Sequence, residues 1–204
     1  ANALLTVVPD KEALRQGLNH YRETYSTDWH EGMIKKLGFE QIEEGDDSLI
    51  EELLSVLSYV ETDWTLFFRL LAKIDLDKKI PSVDQIIKTI EPALYSAVTN
   101  NSEYLNLLLQ WLQKYRERVI RSSIQKKKRT TLMNSVNPRF ILRNYLTQIA
   151  IEKASEGDFS AIKELLNVIR QPYSEQPAQE ENYGKKRPEW ARRKAGCSML
   201  SCSS

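Results

Sequence analysis

Cysteine is scarce in this 204-residue chain: there are two, Cys197 and Cys202, both within the last eight residues. That number and placement exclude the disulfide scaffold of a small secreted domain, and a bridge between the two would close almost no loop. A reducing compartment is expected. Histidine is equally scarce, and His20 and His30 stand ten apart, which gives no His-x3-His or His/Cys spacing for zinc and no setting for a serine triad. No G-x-G-x-x-G or G-x4-G-K-S/T run occurs, so no phosphate loop cradles a nucleotide. Glycine and proline number seven each, and no segment beyond a few residues alternates apolar and polar, which argues against a sheet. Charge of one sign is not in excess: 29 Lys+Arg against 28 Asp+Glu leave +1, too little to gather nucleic acid or an anionic membrane. No apolar run approaches the roughly 20 residues of a membrane span, and the opening residues lack the basic region of a signal peptide. A soluble chain is predicted. It opens without Met, in the apolar run Ala3-Leu4-Leu5-Thr6-Val7-Val8, which reads as the interior of a longer polypeptide, a C-terminal fragment.

What is present is apolar periodicity. With 41% hydrophobic residues the chain can bury a core, and apolar positions recur at three and four along most of it, which predicts an all-α bundle of about seven helices. Asp10 precedes the first. Ser48 and Glu51 form a capping box ahead of Leu49–Val60, Ser82 and Gln85 form a second, and Asp63 is placed to cap Trp64–Ile74. Pro92 splits the segment from Ser82 to Val98. A helix from Ser102 to Ile124 turns Leu105, Leu108, Leu109, Leu112, Tyr115 and Val119 inward. Asn137 and Pro138 begin another that runs to about Ser155, where Gly157 ends it. After Asp158 the residues Phe159, Ile162, Leu165, Leu166 and Ile169 form one apolar stripe, and Pro172 stops that helix. Residues 1–170 are therefore read as the helical region. Residues 171–204 are read as an extended tail, because Gln171–Lys194 holds three of the seven prolines among charged and amide residues.

Charge is unevenly spread within the neutral sum. Glu40 to Glu61 contains eight acidic residues and no basic one, whereas Lys114 to Arg129 contains eight basic residues and only Glu117. The two blocks can face each other or contact separate partners. Glu43-Glu44-Gly45-Asp46-Asp47 lacks the register of a calcium loop and reads as a turn before an acidic helix start. Lys126-Lys127-Lys128-Arg129 reads as a solvated loop, and Trp111 with Tyr115 as core rather than as a stacking surface, so no nucleic acid partner is expected. Arg143 and Asn144 lie in an apolar stretch and want partners, an Arg–carboxylate pair and an amide hydrogen bond between helices. Cys202 is third from the end, which excludes prenylation. An accessible thiol beside Arg192-Arg193-Lys194 favours thiolate, with Cys197 as a resolving partner. An unreactive exposed thiol pair fits the same residues equally well.

Several blocks carry a resemblance. Met133-Asn134-Ser135-Val136-Asn137-Pro138-Arg139-Phe140-Ile141-Leu142-Arg143-Asn144-Tyr145-Leu146 resembles a signature of the selenoprotein O family. Arg187-Pro188-Glu189-Trp190-Ala191 leading to Ser201-Cys202-Ser203-Ser204 does so too. Lys36-Leu37-Gly38, Gly45-Asp46-Asp47, Asp63-Trp64-Thr65-Leu66-Phe67-Phe68-Arg69, Trp111-Leu112-Gln113-Lys114-Tyr115-Arg116 and Gln171-Pro172-Tyr173 agree in order, so the likeness covers nearly the whole chain. It implies a pseudokinase-fold protein adenylyltransferase that binds ATP and Mg²⁺ in an inverted orientation and transfers AMP to Ser, Thr or Tyr hydroxyls of proteins. Such chemistry is positioning and electrostatic stabilisation of a phosphoryl centre. The family's nucleotide and metal residues lie in its N-terminal part, so none of them is carried onto this chain. The partners implied are that pseudokinase part and protein substrates, with no membrane. The compartment implied is the mitochondrion in eukaryotes or the cytoplasm in bacteria. Cys202 matches the position that is selenocysteine in some members and cysteine in others, which implies redox use there, with pairing to Cys197 or to a thiol in the catalytic part. The Lys126–Arg129 run is not part of the likeness.

Overall fold

The computed structural model describes residues 2–8, 10–77 and 80–197, and every regular element within them is helical, as the periodicity predicts. Asp10 opens α1 (Lys11–Lys36) by accepting from the amides of Glu12 and Ala13 at 2.9 and 3.1 Å. Then come α2 (Asp46–Tyr59), α3 (Trp64–Leu71, capped by Asp63) and α4 (Val83–Ile90, with the Ser82/Gln85 capping box intact). Pro92 converts the end of α4 into a single 3-10 turn, Glu91–Ala93. The chain continues through α5 (Ser102–Ser122), α6 (Lys126–Val136), α7 (Asn144–Ser155), α8 (Ser160–Ile169) and the one-turn α9 (Glu180–Tyr183). Nine α-helices among the described residues replace the expected seven, because the basic run starts α6 and the tail contains α9.

Three boundaries differ from expectation, each because a polar side chain is engaged elsewhere. Helix α2 starts at Asp46 behind Gly45, whose φ is +90°, since Asp46 turns inward to Arg118. Ser48 then lies inside the helix and donates to Glu52 instead of capping. Asn137 closes α6 rather than opening α7: its amide donates to the Lys36 carbonyl at 2.9 Å and accepts from Lys36 Nζ at 3.1 Å. Residues 138–143 run non-helically, and the Arg139 and Phe140 amides both donate to the Pro172 carbonyl. Arg129 is not solvated. It lies fully buried on α6, with Nη1 3.4 Å from the Tyr115 hydroxyl and Nη2 3.5 Å from the Ile74 carbonyl.

The main core joins the C-terminal turn of α1 to α2–α5 and Met133 of α6. Trp111 and Tyr115 stack at its centre with ring centroids 5.0 Å apart. The first two-thirds of α1 contributes nothing to it: residues 11–28 are exposed apart from half-buried Leu14, and Leu18, Tyr21 and Tyr25 face solvent. A second, smaller core lies between α7, α8 and the C-terminal segment. Only part of the expected α8 stripe enters it. Leu165 is buried and Ile169 packs against its edge, while Phe159, Ile162 and Leu166 are exposed, because the hairpin partner α7 covers one side of α8 only. Residues 171–197 do not form a free extended tail. They follow the body as a strap of turns and short helices.

Gly38 marks a tight packing point between α1 and α6. Its φ is +87°, and a Cβ there would lie 2.6 Å from Arg129 Cγ and 2.8 Å from Met133 Cγ. Gly45 has the same backbone sign with open space around it. Urea unfolding should therefore show Gly45→Ala costing about 1–2 kcal/mol, the left-handed backbone alone. Gly38→Ala should cost roughly 1–3 kcal/mol more, from overpacking.

Candidate functional site

The sequence pointed to the C-terminal thiols. Cys202 lies outside the described residues. Cys197 is described, and it is buried rather than accessible: it sits in the small core with Tyr145, Leu146, Ala150, Leu165 and Ala191, and its amide donates to the Lys194 carbonyl. Two of the basic residues near it are engaged. Arg192 pairs with Glu61 and approaches Glu189, and Lys194 pairs with Glu152 at 2.5 Å.

What holds this strap is mostly charge. Arg69, buried on α3, reaches Glu175, and Arg139 Nε donates to Glu180 at 2.9 Å. Glu61 receives both Arg187, at 2.7 Å, and Arg192. Lys186 Nζ donates to the Leu94 carbonyl and the Arg187 amide to the Tyr95 hydroxyl. Among the described residues, apolar support comes from Ala191, Cys197, Tyr183 and the edge-on contact of Trp190 with Tyr145, ring centroids 6.1 Å apart. Arg143 makes the expected carboxylate pair, its two Nη atoms donating to Asp63 at 2.5 and 3.1 Å, whereas Asn144 is exposed. Burial and the neighbouring charge of Arg69, with that of Arg143 behind it, pull the Arg139 guanidinium below its usual value.

The acidic and basic blocks face each other. Arg118, buried on α5, donates from Nε to Asp46 Oδ1 at 2.8 Å, pairs with Glu43 at 3.0 Å, and lies 4.3 Å from the Phe39 ring centroid. Lys114 reaches Glu52, Arg121 approaches Glu43 and Lys128 reaches Glu40. Lys126 donates to Asp75, whose carboxyl it holds below the usual range. Trp111 and Tyr115 are core residues, so they offer no face to a nucleobase. Trp111 Nε1 donates to the Leu49 carbonyl and the Tyr115 hydroxyl to the Leu37 carbonyl. Burial raises the Tyr115 phenol, with Arg129 opposing, and pushes Tyr104 up to about 12.

His20 is exposed, and His30 engages the Ser26 carbonyl and lies 3.3 Å from Asp47. Among the described residues no three His, Cys, Asp or Glu side chains are grouped to hold a metal ion, and no helix is long and apolar enough to cross a membrane. The buried polar residues Asp46, Arg69, Arg118 and Asn137 escaped the sequence reading. One signal was available: Arg69 interrupts the apolar run Leu66-Phe67-Phe68-Arg69-Leu70-Leu71, as Arg143 interrupts its own.

Comparison with known proteins gives this geometry a context. The sequence model of the family described as protein adenylyltransferase SelO matches residues 1–170. The protein nucleotidyltransferase YdiU of Rhodopirellula baltica is 42% identical over 212 residues, covering 100% of this chain and 39% of that protein. The YdiU of Aromatoleum aromaticum is 41% identical over 204 residues, covering all of this chain and 38% of the relative. That of Flavobacterium johnsoniae is 37% identical over 204 residues with the same coverage. The chain thus spans about two-fifths of the length of these curated relatives.

Two measurements check the arrangement of charge. Arg118→Leu should cost about 3–5 kcal/mol in urea unfolding, because Asp46 is left buried and unpaired, whereas Lys114→Gln should cost under about 1 kcal/mol. In a Cys202→Ser background, Glu61→Gln removes the carboxylate that Arg187 and Arg192 share. The rate at which a disulfide reagent modifies Cys197 should then rise about three- to tenfold through local lifting of the strap, with the melting curve nearly unchanged.

Proposed function

The chain belongs to the SelO protein adenylyltransferase family, and from that premise we propose that it is the helical portion of an enzyme that transfers AMP from ATP to Ser, Thr or Tyr hydroxyls of proteins. The observation that carries the reading is the family match over residues 1–170, joined to relatives at 37–42% identity whose names state nucleotidyl transfer. In this reading ATP and Mg²⁺ are bound by polypeptide outside this chain, and the chain alone is inactive. Its part is to pack on the pseudokinase region and to carry the C-terminal cysteine. Two exposed apolar helix faces support the packing role: Leu18, Tyr21 and Tyr25 on α1, and Phe159, Ile162 and Leu166 on α8. Scattered apolar side chains are ordinary on a surface, but rows at helical spacing belong against a partner.

Redox use of Cys202 remains part of the proposal. Its support is the matching family position together with the burial of Cys197, which makes a resolving thiol elsewhere in the enzyme the better partner. A non-enzymatic interaction module would have used the acidic block or the Lys126–Arg129 run as its contact surface. Those side chains are largely paired to each other, to Asp75 or to the core, so that reading has little left to stand on.

Calorimetry with ATP and Mg²⁺ should detect no binding to this chain and clear binding to a polypeptide of the relatives' full length. Binding to both, or to neither, overturns the assignment of the nucleotide site. Peptide mapping of the oxidised longer protein should find Cys202 in a disulfide whose other half is not Cys197.

A further inference from the structure

The strap does not lie flat on the body. Between it and the end of α3 is a cleft of about 660 Å³, the size that holds a small organic ligand. Leu66 and Leu70 of α3, with Pro92 and Tyr95 from the turn after α4, supply its apolar surface, and residues of α9 and the segment after it form the opposite wall. Charged side chains rim it, and most already have partners. Arg139 is paired with Glu180, Lys185 with Glu181, Arg187 with Glu61, and Glu189 approaches Arg192.

Two cations are left over. Lys73, on the body side, has no side-chain hydrogen bond or ion pair among the described residues. Lys186, on the strap side, meets only the Leu94 carbonyl and the Tyr95 ring, 5.5 Å from the ring centroid, and no carboxylate. The cleft therefore combines apolar walls with two ammonium groups that have no carboxylate partner among the described residues. Several cations of the strap and of the basic block, by contrast, are matched by carboxylates.

We propose that this cleft binds a small organic anion: a carboxylate or phosphate monoester on a flat, ring-bearing body. The head group would sit between Lys73 and Lys186 and the ring against Leu66, Leu70 and Pro92. The charge complementarity selects an anion, and the apolar walls select the ring over an inorganic ion. Because the two lysines come from opposite sides, the ligand joins the strap to the body. This site is independent of the nucleotide site placed outside the chain.

The probes are 1-naphthoate and 1-naphthyl phosphate, titrated into the isotopically labelled 204-residue chain by calorimetry and amide NMR, with neutral 1-naphthalenemethanol and inorganic phosphate as comparators. At least one anionic naphthalene should bind one-to-one and at least about tenfold more tightly than either comparator, shifting amides of Leu70, Lys73 and Lys186. Whichever probe binds identifies carboxylate or phosphate as the preferred head. Lys73→Gln and Lys186→Gln should each weaken it about fivefold while leaving the rest of the amide spectrum in place, and Lys127→Gln, an exposed charge on α6, should not. No saturable binding up to about 1 mM, equal binding of the neutral naphthalene, or equal effects of all three lysine variants overturns the proposal.

Discussion

Each helix of an all-helical protein leaves its last carbonyls without an intrahelical partner, and packing helix ends together would bury them unsatisfied. This chain answers that constraint with long polar side chains sent across from other elements. The Lys36 carbonyl is met by Asn137, the Leu37 carbonyl by Tyr115, the Ala72 carbonyl by Thr130 and the Ile74 carbonyl by Arg129. Arg69 serves the Asn134 and Asn137 carbonyls at the end of α6. The crossing donors fix which helix end meets which, and so they set the register of α1, α3, α5 and α6 more specifically than interchangeable apolar contacts can. Gly38 belongs to the same node, since only a residue without a side chain lets Arg129 and Met133 approach the end of α1 so closely.

The two cores differ in kind, and that difference governs where the molecule can open. The main core is aromatic and continuous, with Phe67, Trp111 and Tyr115 in ring contact through its middle. The smaller core holds the α7–α8 hairpin and the strap around a few side chains, and the strap's remaining hold is a chain of partly exposed ion pairs with a few hydrogen bonds to the body. Such pairs contribute little each and weaken with salt, so local lifting of the strap is expected to precede global unfolding. Cys197 lies near its end with a free thiol, shielded by the small core.

Fold class was legible because helical periodicity needs only local information, and the caps at Asp10, Asp63 and Ser82 were legible because capping is decided within four residues. The errors at Ser48, Asn137 and Arg129 share a different cause. Each contains or adjoins a polar residue whose partner lies far along the chain: Asp46 with Arg118, Asn137 with Lys36, Arg129 with Tyr115. Local rules assign such a residue to a cap or a loop because they cannot supply the distant partner. The strap was misread for the same reason. A run of Pro, Glu, Gln, Lys and Arg has the composition of a solvated tail until Arg69, Arg139, Glu61 and Glu152 are brought to it by the body. Cys197 could not be placed without that strap, so the accessible thiol expected from its sequence position is in fact shielded.

The blocks that carry the family resemblance are scattered in sequence and joined in space. Arg143 of the longest block binds Asp63 at the start of another, whose Arg69 in turn binds carbonyls at Asn134 and Asn137. The same long block supplies the Arg139 and Phe140 amides to Pro172 of a third, and its Tyr145 meets Trp190 of the fourth. These contacts form one junction, where α3, the end of α6, the start of α7 and the strap are tied together. Their hydrogen bonds are made largely to one another, which suits them to hold these elements in place. The body's side of that junction lies within residues 1–170, the span that the family model matches. The chain spans about two-fifths of the relatives' length, and in the proposed reading the nucleotide is held by the remainder.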